Sequence, residues 1–115
     1  MGAGLARQIA LAYPKVEAIY QRNTPKLGQV QTVQVGPHTW IANICAQAQV
    51  GHQQRQTDYV ALYLALVTLN HEALGQVYLP YRLGCGLAGG DWNIVKTIIA
   101  ETIPSAIIVQ RKCDV

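Results

Sequence analysis

The run Gly84-Cys85-Gly86-Leu87-Ala88-Gly89-Gly90-Asp91 places four glycines among seven consecutive residues. It lies between a strand-like segment and a helix-like one, where backbone N–H groups and a helix dipole converge on an anion. Glycine suits that task because it accepts positive φ and lets phosphate oxygens approach the main chain without a Cβ in the way. Gly2-Ala3-Gly4, at the start of another helical pattern, is a second loop of the same kind. The residues alone admit two readings, a diphosphate cradle or a tight strand-to-helix turn. Two such loops at the carboxyl ends of neighbouring strands would grip one ligand from both sides.

The spacing Gly84, Gly86, Gly89 also matches the dinucleotide fingerprint GxGxxG. That fingerprint opens a long parallel unit, whereas one helix and one strand remain here, and Glu101 falls inside the helix rather than at the ribose-binding position. A nicotinamide-type oxidoreductase is therefore disfavoured. Cys85 sits inside the loop near donors that could lower its pKa, but no His lies close in sequence, so a structural role is favoured. His38 reads as a turn residue, His71 as a helix-end residue and His52 as a solvated loop residue. Asn43, in an otherwise apolar strand, must find hydrogen-bond partners and reads as structural glue. Asp91 and Asp58 read as N-caps rather than general bases, and Trp40 and Trp92 as core or rim aromatics.

The elements that must position the loops follow from periodicity. Leu5, Ile9, Ala12-Tyr13, Val16 and Ile19-Tyr20 have helical spacing, and Pro14 divides them into two helices joined at a kink. Residues 30–35 and 40–46 are strand candidates separated by Gly36-Pro37-His38, which suggests antiparallel pairing. The second is nearly all apolar, as a central strand covered on both faces would be. Residues 47–56 read as a surface loop. A helix capped by Thr57 or Asp58 carries Val60, Leu62-Tyr63, Leu66-Val67 and Leu69. A short strand at 77–79, the glycine loop, a helix over 92–103 and a last buried strand at 106–109 complete the order α, β, β, α, β, α, β, with the first α divided at Pro14, an α/β class with a mixed sheet.

At 115 residues, with 50% hydrophobic and 13% charged residues, the chain suits one folded domain. No run approaches the ~20 apolar residues of a membrane span, and no secretory leader is read. Cys45, Cys85 and Cys113 lack metal-site spacing, which suggests a reducing compartment with neither disulfides nor zinc. The net charge of +3 is scattered, so nucleic acid is not the expected partner. A small anionic ligand is compatible with it.

The segments Met1 to Ala6 with Tyr13-Pro14, Leu27 to Gln31 with Val33-Gln34-Val35, Trp40 to Ile44 with Gln47, and Pro80 with Leu83 to Trp92 together resemble a macro domain. The most similar subgroup is that of the ADP-ribose-1''-phosphate phosphatase (Appr-1-p processing) proteins. The resemblance spans nearly the whole chain, and GCGLAGG with its Pro and Trp is the most specific part. It implies a single three-layer α/β/α sandwich over residues 1–115. Its ligand would be ADP-ribose or ADP-ribose-1''-phosphate, held by Gly2, Ala3, Gly4 and Leu5 on one side and by Gly84, Cys85, Gly86, Leu87, Ala88 and Gly89 on the other.

Members of the family usually begin with one or two further strands, bearing a Gly-Asp pair that recognises the adenine amine and an Asn before the first loop. This sequence starts at that loop, so an N-terminally abbreviated domain is expected, with a hydrophobic edge beside residues 40–46 or the first helix that invites self-association. The positions that carry Lys and Asp in the macro domains that remove ADP-ribose match Gln47 and Ala88, neither of them a nucleophile or base. The resemblance implies binding, with phosphate hydrolysis as the associated reaction. No catalytic residue, cofactor or metal is assigned. A cytoplasmic location without membrane attachment is expected, and a non-catalytic binding module or a structural, oligomeric role are the alternatives.

Overall fold

Pro14 removes a donor that a helix interior would need, and the chain responds by ending one helix and starting another. The computed structural model describes residues 4–47, 57–73, 75–83, 85 and 89–110, with the backbone alone for residues 4–6. Helix α1 spans Gly4–Ala12, and α2 spans Pro14–Arg22 with Pro14 in its first turn. Tyr13 between them is non-helical, at φ −133° and ψ 77°, and its N–H still donates to the Ile9 carbonyl at 2.7 Å. Val16, fully buried, is the anchor of α2, and α2 rests on the strand that follows.

That strand, β1 (Val30–Gly36), pairs antiparallel with β2 (Thr39–Ile44), with Val30 opposite Ile44 and Val33 opposite Ile41. The register shifts between Gln34 and Gly36 as the chain enters the turn at Pro37-His38. Asn43 lies opposite Gln31 and donates to its Oε1 at 3.0 Å, while Gln31 Nε2 donates to the Asn23 carbonyl at 2.6 Å. The polar residue in the apolar strand thus ties the hairpin to the end of α2, the structural part expected of it. Gly28, at φ +88°, occupies the third position of a tight turn closed by Gln29 N–H on the Lys26 carbonyl.

Helix α3 (Tyr59–Glu72) is capped by Asp58, whose side chain accepts from Ala61 N–H at 3.0 Å. Its Leu62, Leu66 and Leu69 meet Leu79, Cys85, Val95, Ile99 and Ile103 in one core, with Val30, Ala42 and Ile44 of the hairpin packed against it. Each fully buried Leu or Ile there contributes about 1.5–3 kcal/mol by leaving water. Strand β3 (Tyr78–Pro80), helix α4 (Trp92–Thr102) and strand β4 (Ile107–Val109) follow, and β4 returns parallel to β3 with Leu79 opposite Ile108. Such a return needs a crossover, and α4 supplies it.

The α/β class and the element order agree with the sequence. Both antiparallel and parallel ladders are present, and among the described residues they form two separate two-stranded sheets.

Two burial expectations need correction. Strand β2 is not covered on both faces: Thr39 and Trp40 are exposed and the remainder half-buried. In β4, expected to be buried, all three residues are exposed, Val109 at 50%. Val60 and Tyr63 of α3 face outward, Val60 at 70%. Among the described residues each strand has one ladder partner, and a continuous apolar run does not distinguish a strand at a sheet edge from one between neighbours. Helix α3 is apolar around most of its circumference, so its stripe does not declare which side faces the core. Among the described residues, no helix is long and apolar enough to cross a membrane.

Candidate functional site

The glycine run follows β3 after a turn at residues 81–83. Because β3 and β4 are parallel, the loop leaves the carboxyl end of the ladder, the end at which α/β folds place ligands. Its entry is held by backbone bonds: Tyr81 N–H donates to the Val109 carbonyl at 2.9 Å, Leu83 N–H to Pro80 at 3.2 Å, and Cys85 N–H to Arg82 at 2.9 Å. Arg82 closes this tight segment at φ 61°, a left-handed conformation that a non-glycine residue adopts at a cost.

The exit is equally defined. Gly89 has φ 74°, the left-handed geometry that calls for glycine, and Gly90 is buried. Asp91 then caps α4 as expected: its carboxylate accepts from Asn93 N–H at 2.8 Å and its carbonyl from Val95 N–H at 3.0 Å. The Asp91 N–H donates to the hydroxyl of Tyr59, at the start of α3, at 2.9 Å. The Tyr81 ring meets Trp92 edge to face, with centroids 5.1 Å apart. The two ends of the loop are therefore tied to each other and to α3.

Cys85 is buried within the core, and its thiol donates weakly to the Leu83 carbonyl at 3.4 Å. Burial pushes its pKa up, the Arg82 guanidinium draws it part of the way back, and the Asp91 carboxylate pushes it up again. At neutral pH the group is a thiol, which favours the structural role over the nucleophilic one. The lowering of its pKa that the neighbouring donors suggested is thus overturned by desolvation.

Of the other residues assigned from sequence, Gly4 and Leu5 lie in the first turn of α1. Gly2, Ala3, Gly84, Gly86, Leu87 and Ala88 lie outside the described residues, as do His52 and Cys113. Gln47 forms an isolated bridge with Thr57, so the chain on either side of residues 48–56 is pinned together. His38 is an exposed turn residue and His71 an exposed residue near the end of α3. Among the described residues, no group of three or more His, Cys, Asp or Glu side chains is arranged to hold a metal.

Periodicity and composition do not single out Tyr59, Tyr81 or Arg82. The signal available for Tyr59 is its place directly after the capping Asp58, which gives an aromatic ring with a polar tip a fixed direction. For Tyr81 and Arg82 the signal is proximity to the glycines, but the left-handed turn at Arg82 has no marker in its residue type.

No protein-family model and no curated protein matches the chain. Solved structures do. A macrodomain protein from Streptomyces coelicolor is 30% identical, with a TM-score of 0.76 over 97% of this chain and 80% of that one. A Bacteroides thetaiotaomicron protein is 25% identical with a TM-score of 0.84, covering 95% of this chain and 79% of its own. The macrodomain of Thermus aquaticus DarG has the same fold at 22% identity and a TM-score of 0.74, covering 98% and 82%. A strand, a glycine loop and a capped helix at the carboxyl end of a parallel ladder, in a chain that shares three residues in ten and most of its length with the Streptomyces protein, place this chain in the macrodomain family.

Proposed function

We propose that the chain is a single macrodomain that binds ADP-ribose or a closely related phosphorylated derivative, with main-chain N–H groups of residues 84–89 and 2–5 as donors to the diphosphate. The observation that carries this reading is Gly89, held at φ 74° between the carboxyl end of β3 and the capped start of α4. A backbone so turned directs amides toward an anion at a helix N-terminus. In the finer form of the reading, the two ladders belong to one mixed sheet within a three-layer α/β/α sandwich. Self-association through a sheet edge fits the exposed apolar strand β4.

The test is a thermal shift. At ~100-fold excess of ADP-ribose over its Kd, a ligand that binds the folded state alone adds about 2.7 kcal/mol of stability. The expected result is a clear rise in Tm with ADP-ribose and none with ribose. The same absence of shift with both would remove the reading.

Hydrolysis of ADP-ribose-1''-phosphate is the reaction that accompanies this binding mode. With Cys85 held as a neutral thiol, attack falls to water on a phosphate held by main-chain donors, releasing inorganic phosphate. Release of phosphate above the spontaneous rate supports this reaction. Binding without release leaves a non-catalytic ADP-ribose-binding module.

A further inference from the structure

We infer that Tyr59 is a positioning residue for the anion-binding loop, fixing the loop's exit through its hydroxyl contact with Asp91; this rests on the ADP-ribose reading for its ligand. Tyr59 and Asp91 are 32 positions apart in the chain, and the hydroxyl accepts from the Asp91 N–H at 2.9 Å. The Tyr59 ring is half-buried and packed against the main core, so its tip is not free to wander. One residue earlier, Asp58 N–H donates to the Ala46 carbonyl at 2.7 Å, which ties the start of α3 to the chain leaving β2. The loop exit is thus referenced to the hairpin as well as to its own helix.

The consequence lies in how a main-chain cradle works. Its donors select a diphosphate by their spacing, and any freedom in the loop must be given up on binding. Asp91 is held by three groups, its N–H by Tyr59, its carbonyl by Val95 and its carboxylate by Asn93. The last two are internal to α4 and would move with it. The Tyr59 contact joins α4 to another element at the point where the loop ends.

The experiment compares the full chain with its Tyr59→Phe variant by amide hydrogen exchange and by ADP-ribose titration, with Ile99→Val as a core variant that leaves the contact intact. Tyr59→Phe keeps the ring and removes the acceptor. Exchange is expected to quicken about tenfold for the amides of residues 89–92 while Leu62–Leu69 keep their protection, and ADP-ribose affinity to fall about tenfold, the effect of one lost hydrogen bond. Ile99→Val should lower Tm without changing affinity. Unchanged loop exchange, exchange that quickens equally along α3, or unchanged affinity in a wild-type chain that binds would each overturn the inference. If the wild type binds no ADP-ribose while loop exchange alone quickens in the variant, the ligand reading fails and the positioning contact is upheld.

Discussion

Tyr81 and Trp92 meet with ring centroids 5.1 Å apart and planes inclined at 65°, an edge-to-face pair that spans the glycine loop. Tyr81 follows the last residue of β3 and Trp92 is the first of α4. Such pairs are worth about 0.5–1.5 kcal/mol beyond the area they bury. In a double-mutant cycle of Tyr81→Leu and Trp92→Leu followed by urea unfolding, a coupling of that size is expected. Strictly additive losses would show that the rings are neighbours without being partners.

The two left-handed residues flanking the loop should respond oppositely to substitution. Gly89→Ala adds a Cβ at φ 74°, and the expected cost is about 1–2 kcal/mol of stability together with weakened ligand binding. Arg82→Gly relieves the same conflict at φ 61°, offset by about 0.5–1 kcal/mol of added freedom in the unfolded chain. Its expected effect lies between neutral and mildly stabilising, whereas Arg82→Val should destabilise. Unfolding curves with Gly89→Ala as stable as wild type would contradict the backbone geometry assigned to the exit.

The buried thiol gives a pH dependence. Cys85 holds its proton more tightly in the fold than in the unfolded chain, where the ordinary value is 9.0. Below that value its contribution is fully present. As pH rises through it the unfolded chain loses the proton first, so stability falls until the raised folded value is passed. Cys85→Ala lacks this loss, and the difference in stability between wild type and variant should narrow from about pH 8 to pH 10. Parallel stability profiles over that interval would mean that the thiol is not desolvated.

Among the described residues, β4 and its partner carry four exposed apolar side chains, Ile107, Ile108, Val109 and Tyr78. Trp40 and Leu11, at the places anticipated beside residues 40–46 and the first helix, are exposed as well. Sedimentation velocity should show concentration-dependent association that Ile108→Lys suppresses. A wild-type chain that stays monomeric at every concentration tested would remove this edge as an interface.

What the sequence reveals about this molecule divides along the range of the interactions involved. Local chemistry was readable: Pro14 splits α1 from α2, Asp58 and Asp91 cap their helices, and the glycine loop stands between β3 and α4. Asn43 signalled its need for a partner, and Gln31 across the ladder meets it. Burial was not readable for β2, β4 and the outer side of α3, because it depends on which elements lie alongside, and an apolar run is silent about that. The Tyr59 contact with Asp91 was hidden for the same reason, since it joins residues far apart in the chain. The desolvation of Cys85 depends on residues of α3 and α4 that close over it, and sequence proximity to a helix N-terminus suggested the opposite shift.

The most direct test of the account is isothermal titration of ADP-ribose into the purified chain. One molecule bound per chain, with affinity lost when Gly89→Val closes the left-handed exit, is the expected result. No heat of binding at millimolar ligand, from a chain shown by circular dichroism to be folded, would contradict it.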